Sequence, residues 1–164
     1  MFIKIITFIY KFLISNTVKI VLFHFLISRD TYLIYDFLTF VILYFNSYFL
    51  HRLTHVKFIE KFFFNIHINI HHKIPRQDIT IVQHFLNVVY EFVLTSNIFL
   101  LLIPFFNKIL NIKMMYIYAI LYIIGHNITN HIENAPEHEL HHKNSNVNFG
   151  PRSLDILFGT YKSP

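Results

Sequence analysis

The chain has 164 residues, 54% of them hydrophobic and 14% charged, with a formal net charge of +5 and a mean hydropathy of +0.46. A soluble domain of this size cannot bury that much apolar surface, and a disordered chain would not carry it, so the composition is that of a membrane protein. The absence of cysteine removes disulfides and thiolate metal sites, and no basic run or stripe suggests a nucleic-acid partner.

The amino-terminal stretch lacks a small-residue cleavage site, and lysines interrupt its apolar run. It therefore reads as a retained membrane-embedded or interfacial helix over about 5–27 rather than a cleaved signal. Lys11 and Lys19 weaken that span, although lysines near helix ends can snorkel to the headgroups. "SRDT" at 28–31 is a polar break. A second apolar segment, 32–50, contains Asp36. The polar stretch 51–78 follows, then a third apolar segment over 79–106 that ends near Pro104. A fourth covers 109–124, with Gly125 closing it. The predicted fold is all-α and integral to the membrane, a single domain over 1–164. Four transmembrane helices form two hairpins, 5–50 and 79–125, and the segments 51–78 and 126–164 make a helical, histidine-rich cytosolic cap.

Ten of the twelve histidines fall in two groups. The first is His51, His55, His67, His71 and His72. The second is His126, His131, His138, His141 and His142. Two apolar segments separate the groups, and two crossings return the chain to the side it left, so the groups can meet. Arg52, Lys57, Lys61, Lys73 and Arg76 accompany the first group, and Lys143, Arg152 and Lys162 the second. Arg29, Lys108 and Lys113 fall on the opposite side. This charge bias places the histidines in the cytosol.

The spacings suit metal binding. Residues i and i+3 or i+4 share a helix face, which pairs His51 with His55, and His67 with His71, next to His72. It also aligns His138, His141 and His142 on a short helix that begins at Pro136. His126 and His131 are five apart and would splay on a regular helix, so they flank a bend or serve different metals. Neutral imidazoles form a nitrogen-donor array for a transition metal such as iron or zinc. One ion takes about six ligands at most, so ten histidines indicate two metals with room for water or dioxygen. A pH switch would not need ten imidazoles, and a transport site would lie within the spans. Carboxylates placed to orient the imidazoles are Glu133, Glu139 and Asp155, and His84 is a further candidate for that role. Glu137 reads as a helix-capping acid. His24 reads as a packed or interfacial histidine. Asp36 and Glu91 either line a lipid cavity or bond between helices.

The order of these motifs resembles the fatty acid hydroxylase/sterol desaturase superfamily of membrane oxygenases. "YFNSYFLHRLTH" (44–55) is similar to the family's first histidine box, "HINIHH" (67–72) to its second, and "HNITNH" (126–131) with "HELHHKNSNVNFG" (138–150) to its third and fourth. "LDILFGTY" (154–161) resembles the closing stretch, with Leu154 where the family has tryptophan. The second box holds three residues, instead of two, between His67 and the His71–His72 pair. The likeness covers roughly 38–161.

The resemblance implies a centre of two iron ions, with zinc an alternative occupant, held by the ten histidines. No catalytic residue is expected beyond the ligands. Dioxygen and two electrons would serve to hydroxylate or desaturate a fatty acyl, sterol or sphingoid lipid. The electrons would come from a reduced nicotinamide through a small haem cytochrome or reductase, at the endoplasmic reticulum or an equivalent host membrane. The expected partners are a lipid substrate, the membrane and the electron-donor protein. Two alternatives are a carotenoid-hydroxylase-like enzyme, which shares the HxxxxH spacing of His126 and His131, and a non-catalytic metal- or lipid-binding membrane protein that retains the histidine scaffold.

Overall fold

The computed structural model describes residues 2–27, 30, 32–62, 67–74, 78–106, 109–131 and 136–164. All regular structure among them is helical. Four long helices are α1 (Phe2–Ile27), α2 (Leu33–Thr54), α4 (Ile81–Phe106) and α5 (Ile112–His131). Three short ones are α3 (Lys57–Phe62), α6 (Pro136–Lys143) and α7 (Arg152–Phe158). A π-helical turn covers His67–His72.

The ends of the helices follow local chemistry. The Thr80 hydroxyl accepts from the Gln83 backbone N–H (3.3 Å), and the Gln83 side-chain carbonyl accepts from the Thr80 N–H (3.0 Å). This reciprocal pair starts α4. The Asn111 side-chain oxygen accepts from the N–H groups of Lys113 (2.9 Å) and Met114 (3.3 Å) and so caps α5. Pro136 opens α6, as its spacing predicts. Gly159, at φ 73°, ends α7 in the left-handed region.

Two boundaries differ from the sequence reading. Helix α2 runs to Thr54, so His51 lies on the helix itself. Helix α5 does not close at Gly125 but continues to His131. A single helical glycine costs only about 1 kcal/mol, and nothing lies within 4 Å of where a Cβ would stand at Gly125. His126 and His131 therefore both lie on α5.

Helix α2 is central, with α1, α4 and α5 packed on it. It runs antiparallel to α1: Phe8 meets Phe45 edge-on at 5.7 Å, and His24 reaches Asp36 at 2.8 Å. Its buried face is largely polar and includes Asp36, Thr39, Ser47, His51 and Thr54, while Ile34, Ile42, Phe49 and Leu53 face outward. Partners satisfy that stripe. Asp36 also accepts from the Asn111 side-chain amide, and the Thr39 hydroxyl accepts from the Asn111 N–H at 2.9 Å. Ser47 meets the Tyr118 hydroxyl at 3.0 Å and Tyr48 the Thr160 hydroxyl at 2.7 Å. Tyr44 pairs with Ser153. Around them Phe40, Tyr44, Tyr48, Met114, Phe149 and Leu154 form the main core cluster.

Among the described residues, one helix, Leu33–Thr54, is long and apolar enough to cross a membrane. Shorter apolar stretches are Asn16–Leu26, Ile81–Val93 and Ile112–Gly125.

The fold generates one prediction. Asp36→Ala removes the shared acceptor of His24 and Asn111, and hydrogen bonds to charged groups contribute about 1.5–3 kcal/mol each. The variant should unfold at a lower temperature in detergent. It should keep wild-type metal content, because His51 lies ~22 Å further along the helix. An unchanged unfolding temperature would show that this polar anchor does not stabilise the fold.

Candidate metal centre

Five imidazoles converge where α2, the π-helical turn and α6 meet. His51 and His55 stand one turn apart at the end of α2. His67 and His72 come from the π-helical turn, and His141 from α6. One ring nitrogen from each lies within 4.8 Å of the others. Nε2 atoms are 3.1 Å apart for His51 and His141, and 3.2 Å apart for His55–His67 and for His67–His72.

Two backbone carbonyls fix how these rings face. Nδ1–H of His51 donates to the Phe149 carbonyl and Nδ1–H of His141 to the Val147 carbonyl, both at 2.7 Å. With the proton on Nδ1, Nε2 carries a lone pair directed into the cluster. Burial holds the His55 imidazole down to about 3, and the neighbouring charges of His141 and His142 push the same way. His55 is therefore neutral at physiological pH. Its Nδ1 is buried with no hydrogen-bond partner among the described residues. Neutral nitrogen lone pairs crowded at about 3 Å repel one another unless a cation lies between them; the chain has no cysteine, and among the described residues no carboxylate joins the group. The donor set fits a borderline transition metal such as iron or zinc.

The π winding brings His67 and His72 of the second box into the cluster. On an α-helix, His67 would share a face with His71. The wider π turn, closed by i to i+5 bonds, brings His67 and His72 together.

Helix α6 divides its histidines. His141 is fully buried and joins the five-imidazole cluster. His138 and His142, a turn apart, place their Nε2 atoms 2.9 Å from each other. The His142 ring stacks on His72 at 4.5 Å, so this pair adjoins the cluster without belonging to it. The side chains of His71, His126 and His131, and Glu133 as a whole, lie outside the described residues.

Among the proposed orienting groups, Asp155 is buried within the segment that holds the rings. Its carboxylate accepts from the Phe149 N–H (2.9 Å), the Gly150 N–H (2.7 Å) and the Thr160 hydroxyl (2.7 Å). Burial raises its pKa, and these three bonds oppose the rise. Asp155 thus acts on His51 through the Phe149 peptide, not by touching the ring. Asn148, at φ 52°, ties the same loop to the carboxyl-terminal strand of chain: its side chain donates to the Lys162 carbonyl (2.9 Å) and accepts from the Lys162 N–H (2.8 Å). Glu139 faces the surface, 4.0 Å from Lys143. Glu137 pairs with Arg152 at 3.2 Å and accepts from the Tyr161 hydroxyl at 3.1 Å, joining α6 to α7. His84 stands near the start of α4, apart from the five-imidazole group. Glu91 accepts from Asn87 one turn earlier on α4 at 3.0 Å. The carbonyls of Val147 and Phe149 were invisible to side-chain reasoning, and the "NVNFG" motif is their only trace in the sequence.

A family model described as fatty acid hydroxylase matches residues 36–160. The match begins within α2 and takes in both histidine groups and the Asp155 segment. No curated protein and no solved structure matches the chain.

Two substitutions test the centre. His141→Ala should lower the metal content of purified protein, read by elemental analysis, and full metal content would remove His141 from the ligand set. Asp155→Asn should weaken metal retention by about 10–100-fold, the range for groups that orient ligands. Helical content should be unchanged by circular dichroism. Wild-type retention would show that the loop holds its carbonyls without the carboxylate.

Proposed function

This chain belongs to the fatty acid hydroxylase family, and on that footing we propose that it is a membrane-bound lipid oxygenase with two iron ions held by its histidines. The observation that carries the reading is the cluster of five imidazoles, at least two with their tautomer set by a backbone carbonyl. Acid–base side chains cannot cut an alkyl C–H bond, and iron bound at such a centre supplies, with dioxygen and two electrons, the oxidising power for it. One oxygen atom of dioxygen would enter the lipid as a hydroxyl while the other leaves as water, or two hydrogens would leave to form a double bond while both oxygen atoms leave as water, two protons and the two electrons completing either balance. The chain's own residues bind the metals, orient the donor nitrogens and shelter the reacting carbon from water.

In this reading the first metal is held by His51, His55, His67, His72 and His141. The second draws on His138 and His142, with His71, His126 and His131 completing it. The substrate is a fatty acyl, sterol or sphingoid lipid, and an electron-donor protein supplies reducing equivalents. Helices α1, α4 and α5 cross the membrane beside α2. The polar inner face and apolar outer face of α2 support this, because a lipid-exposed bundle inverts the pattern of a soluble one. The basic residues that accompany the histidines favour a cytosolic orientation, with the endoplasmic reticulum or an equivalent membrane as the location.

The test is comparative lipid profiling of cells that express the wild type or a His141→Ala, His142→Ala variant. A hydroxylated or newly unsaturated lipid should appear with the wild type alone. Identical profiles in a host that supplies electrons and iron would favour a metal- or lipid-binding protein without oxygenase activity.

A further inference from the structure

Two cavities adjoin beneath the imidazoles. One, of about 730 Å³, is bordered by His51, His138 and Phe149. The other, of about 770 Å³, lies between α1, α2 and α5 and is walled by Phe23, Phe40 and Tyr44. Each falls within the roughly 300–1,000 Å³ of small-molecule pockets. Lys19, Leu121, Tyr122, Pro151 and Arg152 border both, so the histidine-lined and aromatic cavities are neighbours at these residues.

Lys19 and Arg152 share the lining of the histidine-bordered cavity with two carboxylates, Glu137 and Asp155, and Asp155 is engaged by the Phe149 and Gly150 N–H groups and the Thr160 hydroxyl. Arg152 is paired with Glu137 at 3.2 Å and lies over the Tyr161 ring at 4.8 Å. Lys19 has no acidic partner among the described residues. It sits well inside α1, eight residues before the end of the helix, on an otherwise apolar stretch with Ile20 and Phe23. Asn16, one turn earlier, borders the same aromatic cavity. Lys19 is exposed on the surface of the chain; with α1 crossing the membrane, as proposed above, an ammonium there is costly unless it meets an anion or a wet cavity.

We infer that Lys19 receives the anionic head, carboxylate or phosphate, of a single-chain lipid whose hydrocarbon tail fills the aromatic cavity. This rests on the lipid-oxygenase reading for its purpose, but not for its test. A neutral sterol or carotenoid would leave the Lys19 charge uncompensated, so the substrate class narrows to acyl lipids that carry a charge at one end.

Displacement of the fluorescent fatty acid cis-parinaric acid from the purified, metal-loaded protein in neutral detergent reads this directly. Hexadecanoate, hexadecyl phosphate and hexadecanol share a chain and differ in the head. The wild type should prefer at least one of the two anions over the alcohol by about tenfold or more, the scale of one charge-assisted contact. The ranking of carboxylate against phosphate identifies the head. Lys19→Gln should abolish the preference while hexadecanol binds as before, and Lys19→Arg should retain it. Equal competition by all three ligands on the wild type would overturn the inference. So would equal loss of anion and alcohol binding in Lys19→Gln with Lys19→Arg intact. An anion preference in a protein that yields no oxidised lipid would uphold the site and refute the oxygenase reading instead.

Discussion

Two hydrogen bonds orient the imidazole cluster: His51 to the Phe149 carbonyl and His141 to the Val147 carbonyl. An imidazole is a ligand only through the nitrogen that lacks a proton, and a free ring exchanges its tautomers readily. Here the choice is made by a loop of three residues, 147–149, lying between α6 and α7. Asp155 and Asn148 hold that loop from opposite sides, one through backbone N–H groups and one through the carboxyl-terminal chain. The closing motif of the chain is therefore part of the support of the imidazole cluster, although none of its side chains belongs to the five-imidazole group.

The same logic explains why polar residues lie inside. Asp36, Ser47 and His51 would be liabilities on a helix surrounded by hydrocarbon, because an unpaired polar group there is expensive. Each instead meets a partner from another element: His24 on α1, Tyr118 on α5 and the 147–149 loop. These bonds fix the rotation of α2 about its axis. Rotation matters because His51 and His55 reach the cluster only from the inner face.

Much of the architecture was legible in the sequence. Apolar segments marked the four long helices, and histidine spacing marked His51, His55, His67, His72 and His141 among the candidates. What was missed has physical causes. Helical periodicity assumes 3.6 residues per turn, so it gave no sign of the π turn that sets His72 Nε2 3.2 Å from His67 Nε2. Gly125 looked like a terminator because glycine is a weak helix former, yet one glycine does not end a helix that continues favourably on both sides. His24 read as a lone histidine, and its bond to Asp36 depends on the packing of α1 against α2. The carbonyls that orient the rings have no side-chain signature at all.

Helix α2 is held by polar contacts near both ends, by Asp36 at its start and His51 near its finish. The rise per residue puts these anchors ~22 Å apart, and a slip of one turn, ~5.4 Å, would break both together. The helix thus works as a ruler between two fixed marks. In a bilayer, the depth of the imidazole cluster is then set by covalent geometry and not by the thickness of the surrounding lipid. A thinner or thicker membrane would have to deform around the protein, and a substrate chain would be measured against the same fixed length in either.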